Sequence, residues 1–249
     1  MTKSAPATSP SRLETEAADR TARSQRSAAQ RQEQLAAGLA MVAGFVDAYG
    51  IITYGVYVSF MSGNTTQTGY QAGQGAFSAA APSALAILFF VGGSFAGTLL
   101  VEFAGRRARQ LVFGVAAAAL AAIIGFTQLG SVSAGVHIAT ASFAMGVLNT
   151  ALTRVGGQSV SLTFVTGTLS RIGAHFALAL RRASLPDAQG PWDTHLRRAL
   201  ILAGVWVGFF AGALLSGAAT PRFGVWVLLC PVLILLALAA FGRTAGAVD

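Results

Sequence analysis

LAAGLAMVAGFVDAYGIITYGVYV, residues 35 to 58, is a run of 24 residues with one charge, Asp47. A helix of that length rises about 36 Å, enough to cross the roughly 30 Å hydrocarbon core of a bilayer. Five further stretches approach or pass the same length of predominantly apolar sequence: Pro82–Val101, Leu111–Leu129, Val132–Leu152, Ala199–Ala219 and Phe223–Phe241. The sequence therefore predicts an all-α, polytopic membrane helix bundle with about six spans.

Composition supports this. Of 249 residues, 54% are hydrophobic and 10% charged, with a mean hydropathy of +0.61. Water-soluble domains carry about 25% charged residues, so a soluble fold is excluded. The net charge of +8 comes from short Arg clusters between spans without aromatic interleaving, which points to membrane orientation and away from nucleic acid. Cys230 is the only cysteine, so one chain forms no disulfide.

Residues 1–34 are polar, mix charge signs and lack an apolar period, and read as a disordered cytoplasmic tail. The tail is too long and too acidic for the leader of a signal peptide, so no cleavage is expected. A single membrane domain follows over residues 35–243. Two uncharged or weakly charged segments interrupt it: Ser62–Ser83, and Thr163–Arg182, which carries Arg171 and His175. Both are too polar for lipid and require shelter inside protein, which predicts two short half-helices. With six crossings, Arg106, Arg107 and Arg109 fall on the same side as Arg181, Arg182, Arg197 and Arg198, so both termini are expected in the cytoplasm. Arg222 alone falls outside. Glu102 and Arg106 are expected to form an interfacial ion pair.

The halves of the chain resemble each other at an offset near a hundred residues. G-F-V-D-A at Gly44–Ala48 parallels G-V-L-N-T at Gly146–Thr150, and M-S-G-N-T at Met61–Thr65 parallels V-T-G-T-L at Val165–Leu169. Two units, about 35–130 and 132–243, each with three crossings, must sit upside down relative to each other. That is the inverted repeat of many channels and secondary transporters.

G-F-V-D-A-Y at Gly44–Tyr49 followed by F-M-S-G-N at Phe60–Asn64, with G-V-L-N-T-A at Gly146–Ala151 and V-T-G-T-L at Val165–Leu169 in the second half, resembles the signature of the YoaK-like family of bacterial inner-membrane proteins. Ser62 stands where Thr is common, and Leu148 where a polar residue often precedes the Asn. The resemblance implies a multi-span inner-membrane fold of similar length and no particular substrate.

Asp47 is the strongest candidate site residue, because a carboxylate at that depth costs about 2.5–3.5 kcal/mol on insertion scales. It can bind a cation, carry a proton, or accept hydrogen bonds as a helix fastener. Asn149 keeps its shape without its charge. Ser62, Gly63, Asn64 and Thr65, and in the second half Thr166, Gly167 and Thr168, combine a permissive glycine with hydroxyls able to cap a half-helix aimed at the midplane, or to cap an ordinary interfacial helix. Arg171 and His175, four residues apart on one face, offer either a charge partner for Asp47 or an interfacial anchor. The three histidines, His137, His175 and His195, are scattered, so neither a metal set nor a cofactor is expected.

Gly93 with Gly97, and Gly204, Gly208 and Gly212, form small-residue faces for close helix contacts, within one chain or between copies in a homo-oligomer. The expected function is a small-solute or ion transporter or channel in the bilayer. The alternatives are a non-transporting scaffold or assembly factor and, weakest, an intramembrane enzyme, for which no nucleophile, base and oxyanion donor assemble.

Overall fold

A computed structural model describes residues 12–130, 132–151, 154–155, 158–159, 165–188 and 190–245. Eight helices follow one another among these: α1 (Arg12–Tyr54), α2 (Met61–Gly73), α3 (Phe77–Ala104), α4 (Ala108–Leu129), α5 (Ala134–Asn149), α6 (Val165–Leu180), α7 (His195–Phe223) and α8 (Leu229–Ala245). The fold is an all-α membrane bundle. Its one departure among the described residues is a two-residue antiparallel pair, β1 (Arg154–Val155) with β2 (Gln158–Ser159).

Three apolar helical stretches are long enough to cross a membrane: Arg26–Tyr54, Phe77–Leu129 and His195–Ala240. The second holds 53 residues and would extend about 80 Å if straight, so it must turn back. It does so at Gly105, and the third does so at Gly224. Both glycines close a helix with nearly the same left-handed geometry, φ 53° and ψ −124° against φ 56° and ψ −136°, and a short 3-10 turn follows each. With α5, a shorter apolar helix of 16 residues, the crossings are α1, α3, α4, α5, α7 and α8.

Helix directions follow from close contacts. Ala37 abuts Gly208 and Met41 abuts Gly212, so α1 and α7 run parallel. Phe143 abuts Gly93, and Val147 and Thr150 abut Gly97, so α3 and α5 also run parallel. The end of α1 meets the starts of α3 and α5, where Tyr54 packs on a cluster of Val56, Ala86 and Ile138; α1 is therefore antiparallel to both. It follows that α2 begins and ends on one side of the bundle and α6 on the other. Returning to the side from which they start, neither α2 nor α6 crosses the membrane. The apolar interior is closed by Leu39, Val46, Tyr49, Phe113, Leu120, Met145, Leu148 and Leu235.

Four expectations need correction. The polar tail is helical from Arg12, continuous with the first span. Its Ala, Glu, Gln and Arg content favours helix, and Glu16 and Asp19 each stand four residues before an Arg. Residues 1–11 of that tail lie outside the described residues. The first span stops at Tyr54, not Val58, and the fourth is shortened to Ala134–Asn149. Glu102 and Arg106 are exposed and unpaired, because α3 ends at Ala104 and the turn at Gly105 breaks their helical spacing.

Candidate functional site around Asp47

Past Tyr54 the chain folds back along the helix it has just left. Gly50 permits this: a Cβ there would collide with the Val56 carbonyl and the Val58 side chain. The returning strand brings its amides to Asp47, whose Oδ1 accepts from the Val58 N–H at 2.8 Å and the Ser59 N–H at 2.7 Å. Asp47 lies seven residues before the end of α1, so this junction sits about 10 Å below Tyr54. There α2 begins, and it climbs back to the side from which the chain came.

The F-M-S-G-N motif locks this reversal. Asn64, the one buried residue of α2, uses both ends of its amide on the Tyr57 backbone: Oδ1 accepts from the Tyr57 N–H at 3.2 Å, and Nδ2 donates to the Tyr57 carbonyl at 2.6 Å. Gly63 leaves room for the Phe60 ring, which a Cβ would approach to 2.7 Å. Phe60 in turn packs edge-on against Tyr57, 5.3 Å between centroids. The hydroxyls do not cap α2, because Thr65 donates to the Met61 carbonyl and Thr66 to the Ser62 carbonyl, four residues back. Such bonds satisfy a hydroxyl within its own helix.

Two oxygens at the junction remain without partners. Asp47 is 4% exposed, yet its Oδ2 has no hydrogen bond, and neither does the hydroxyl of Ser59, which is 1% exposed. The Ser59 side chain lies beside the carboxylate without completing a bond to it. Neither residue lines the open groove of about 550 Å³ formed nearby in the chain by Tyr57, Phe60, Ser62, Thr66, Gln67 and Tyr70, uncharged groups throughout.

The second-half candidates lie on α5 and α6. Asn149 is the last residue of α5, half-buried and engaged. Thr168 is the one buried residue of α6, as Asn64 is of α2, while Thr166 is exposed and Gly167 half-buried. The residues that would correspond to the Asp47 fold-back, and Thr163 and Phe164 of the second polar segment, lie outside the described residues.

Arg171 and His175 do not serve Asp47. Arg171 is exposed on α6, which packs against α7, and the backbone holds the carboxylate instead. His175 meets His195, the first residue of α7, with their Nδ1 atoms 2.9 Å apart. Two of the three histidines are thus neighbours, although no group of three metal-ligating side chains occurs among the described residues. Burial, then the adjacent His195, lowers the pKa of His175.

Sequence reasoning missed the polar cluster at that end. Arg198, 3% exposed, holds Asp193 through Nε at 3.0 Å and Nη2 at 2.8 Å. It also holds both carboxylate oxygens of Asp187 at 3.0 Å and that residue's carbonyl at 3.1 Å. Arg197 pairs with Glu33 of α1 and lies over the Trp192 ring at 4.5 Å. The available signal was two acids in an otherwise basic loop just before the fifth crossing.

Six crossing helices, two half-helices that return to the side they left, and one buried acid at the first of these reversals define a polytopic membrane protein with a broken-helix polar site. The chain belongs to the family described as "Protein of unknown function (DUF1275)", which matches residues 35–241. It is 32% identical over 209 residues to a UPF0700 transmembrane protein of Rhizobium meliloti (strain 1021), covering 83% of this chain and 85% of that relative. No solved structure matches.

Proposed function

We propose that the chain, a YoaK-like member of this family, is a transporter or channel for a small solute or ion in the inner membrane, working at the polar reversal formed by Asp47 and α2. The observation that carries the reading is the buried carboxylate with one oxygen unpartnered at a break between helices. Such intramembrane acids are costly and mark ion or substrate paths. Discontinuous helices at such sites turn their N-termini toward the ligand. No enzymatic step belongs to this reading.

An inverted repeat is part of the proposal. In its support, Gly44 meets the Phe209 carbonyl where Gly146 meets that of Phe90, and Gly212 meets the Met41 carbonyl where Gly93 meets that of Phe143. One offset of 102 residues links Gly44 with Gly146 and Met41 with Phe143. A second, of 119, links Phe90 with Phe209, Gly93 with Gly212, and Gly105 with Gly224. The antiparallel course of α1 and α5 agrees with inversion. The loops at the end opposite the termini hold one basic residue, Arg222, which favours cytoplasmic termini.

The test is flux in proteoliposomes across a panel of small solutes and ions. Transport is expected, and Asp47→Asn should abolish it; a rate unchanged by that substitution removes Asp47 from the path. The scaffold reading draws on Asn64, whose amide oxygen and nitrogen both bond the Tyr57 backbone. It predicts no flux from the intact protein and reduced detergent stability in Asn64→Ala.

A further inference from the structure

The reading of Asp47 as the working group of a transport site leaves the ion open, and the inference here rests on that reading. We propose that Asp47 is a proton-binding site, taking one proton on Oδ2 and passing it as a hydrogen bond to the Ser59 hydroxyl.

The argument starts from what each oxygen can do. An ionised carboxylate only accepts, and Oδ1 is already saturated by the Val58 and Ser59 amides. Oδ2 is buried and unpartnered, so its share of the charge is uncompensated, the costliest condition for a buried group. The adjacent Ser59 oxygen is also without a partner. A single proton on Oδ2 removes both defects: the carboxyl becomes neutral, and its O–H donates to Ser59 Oγ. The step adds one proton and cancels one negative charge, and release reverses it.

No other group supplies that charge. On α7, Arg197 is taken by Glu33 and Arg198 by Asp187 and Asp193 at the opposite end of the helix, and Arg222, in its last turn, is exposed. On α5, His137 is engaged with Thr127 and the Ser133 carbonyl and stacks on Tyr54. Tyr49 and Tyr54 share a hydroxyl contact of 3.3 Å with each other. Arg171 lies on α6, away from the fold-back.

A metal cation fits the same atoms poorly. It requires several oxygens at close range, and here only two are free. Two backbone N–H groups also point at the carboxylate.

Infrared difference spectroscopy of the full-length protein in neutral-lipid vesicles tests this without any transported substrate, over a range from about pH 5 to about pH 9 that clears ordinary exposed acids. The expected result is a protonated-carboxyl band that titrates in the wild type and is missing in Asp47→Asn. Ser59→Ala, which keeps the backbone N–H on Oδ1, should move the midpoint by roughly half to one pH unit, because the one side-chain oxygen beside the carboxylate is lost. A band missing at every pH, a midpoint unmoved by Ser59→Ala, or a band displaced by added sodium overturns the proposal. Titration at Asp47 in a protein that carries no solute supports the proton site and refutes the transport reading, so the two fail separately.

Discussion

Replacing Gly44 with alanine tests the packing on which the bundle rests. Lipid tails are as apolar as the helices, so association depends on close van der Waals contact and not on a hydrophobic drive. The added methyl at Gly44 would land on the Phe209 carbonyl. Along the same seam, a Cβ at Gly208 would sit 2.5 Å from the Ala37 carbonyl oxygen. Ordinary contacts need about 3.5 Å, so the helices must part by roughly 1 Å, which forfeits much of their mutual dispersion. Overpacking of this kind costs about 1–3 kcal/mol. Alanine also gains up to about 1 kcal/mol of helix propensity over glycine, which partly masks the cost. The control is Gly204→Ala on α7, where nothing lies within 4 Å. It receives the same propensity gain without the clash. The difference between the two variants is therefore expected at about 1–3 kcal/mol, read from unfolding in mixed detergent micelles by loss of ellipticity. Gly146→Ala, landing on the Phe90 carbonyl, should match Gly44→Ala within about 1 kcal/mol. A Gly44→Ala protein no less stable than Gly204→Ala would refute the close α1–α7 seam.

Three further outcomes are expected. Arg198→Ala takes the guanidinium from Asp193, whose side chain is 1% exposed, and should cost about 3–5 kcal/mol in the same unfolding assay, with Arg198→Lys only partly restoring it because the fork is lost. Asp47→Leu should destabilise by about 2–5 kcal/mol, since the buried Val58 and Ser59 amides lose their acceptor, whereas Asp47→Asn retains an acceptor oxygen and stays folded. Acid should loosen the contact between α6 and the start of α7. His175 has a lowered pKa, so the unfolded chain binds more protons, and stability falls as pH drops through about 6.5 towards the folded value. Asp187, held low by its hydrogen bonds to Arg198, adds a loss only at more acid pH. Normalised to the intrinsic exchange rate at each pH, hydrogen exchange confined to α6 and the α6–α7 linker should rise below about pH 6, and this rise should be missing in His175→Gln.

The crossings were legible because hydropathy reads partitioning, and partitioning decides which helices span. Asp47 and the small-residue faces were legible for the same reason: a lone charge and closely spaced glycines stand out in apolar sequence. The fold-back was not. Val56, Tyr57 and Val58 continue the apolar run, and nothing in their hydropathy separates a helix from a strand returning beside it. The signal lay in backbone hydrogen bonding, which the side-chain pattern does not record. Arg171 was weighed as a charge partner for Asp47 beside an interfacial anchor because electrostatic reasoning looks for a cation, while the structure supplies two amides. The helical start at Arg12 was hidden by polarity: absence of an apolar face argues against packing, not against helix. Arg198 was counted as one more positive charge for orientation, although the acids five and eleven residues before it take up its guanidinium.

The proposed repeat explains where the two halves part company. The offset grows from 102 residues at the first helix to 119 at the third, an increase of 119 − 102 = 17. Most of this falls in the linker between half-helix and crossing, which is three residues (Gln74–Ala76) in the first half and 14 (Arg181–Thr194) in the second. The short linker is uncharged, and the long one carries Arg181, Arg182, Asp187 and Asp193 and abuts Arg197 and Arg198. An inverted pair with equal charge at both ends would have no reason to insert one way round. The added linker, with Arg106, Arg107 and Arg109 at the α3–α4 turn, breaks that tie. The burial of Arg198 between two acids does not undo this, because acidic residues contribute little to orientation. The same asymmetry separates Asp47 from Asn149. Helical packing is shared by the halves, while charge is assigned to one side of the membrane and one reversal. A single carboxylate in a pseudo-symmetric frame can therefore be served differently from its two faces.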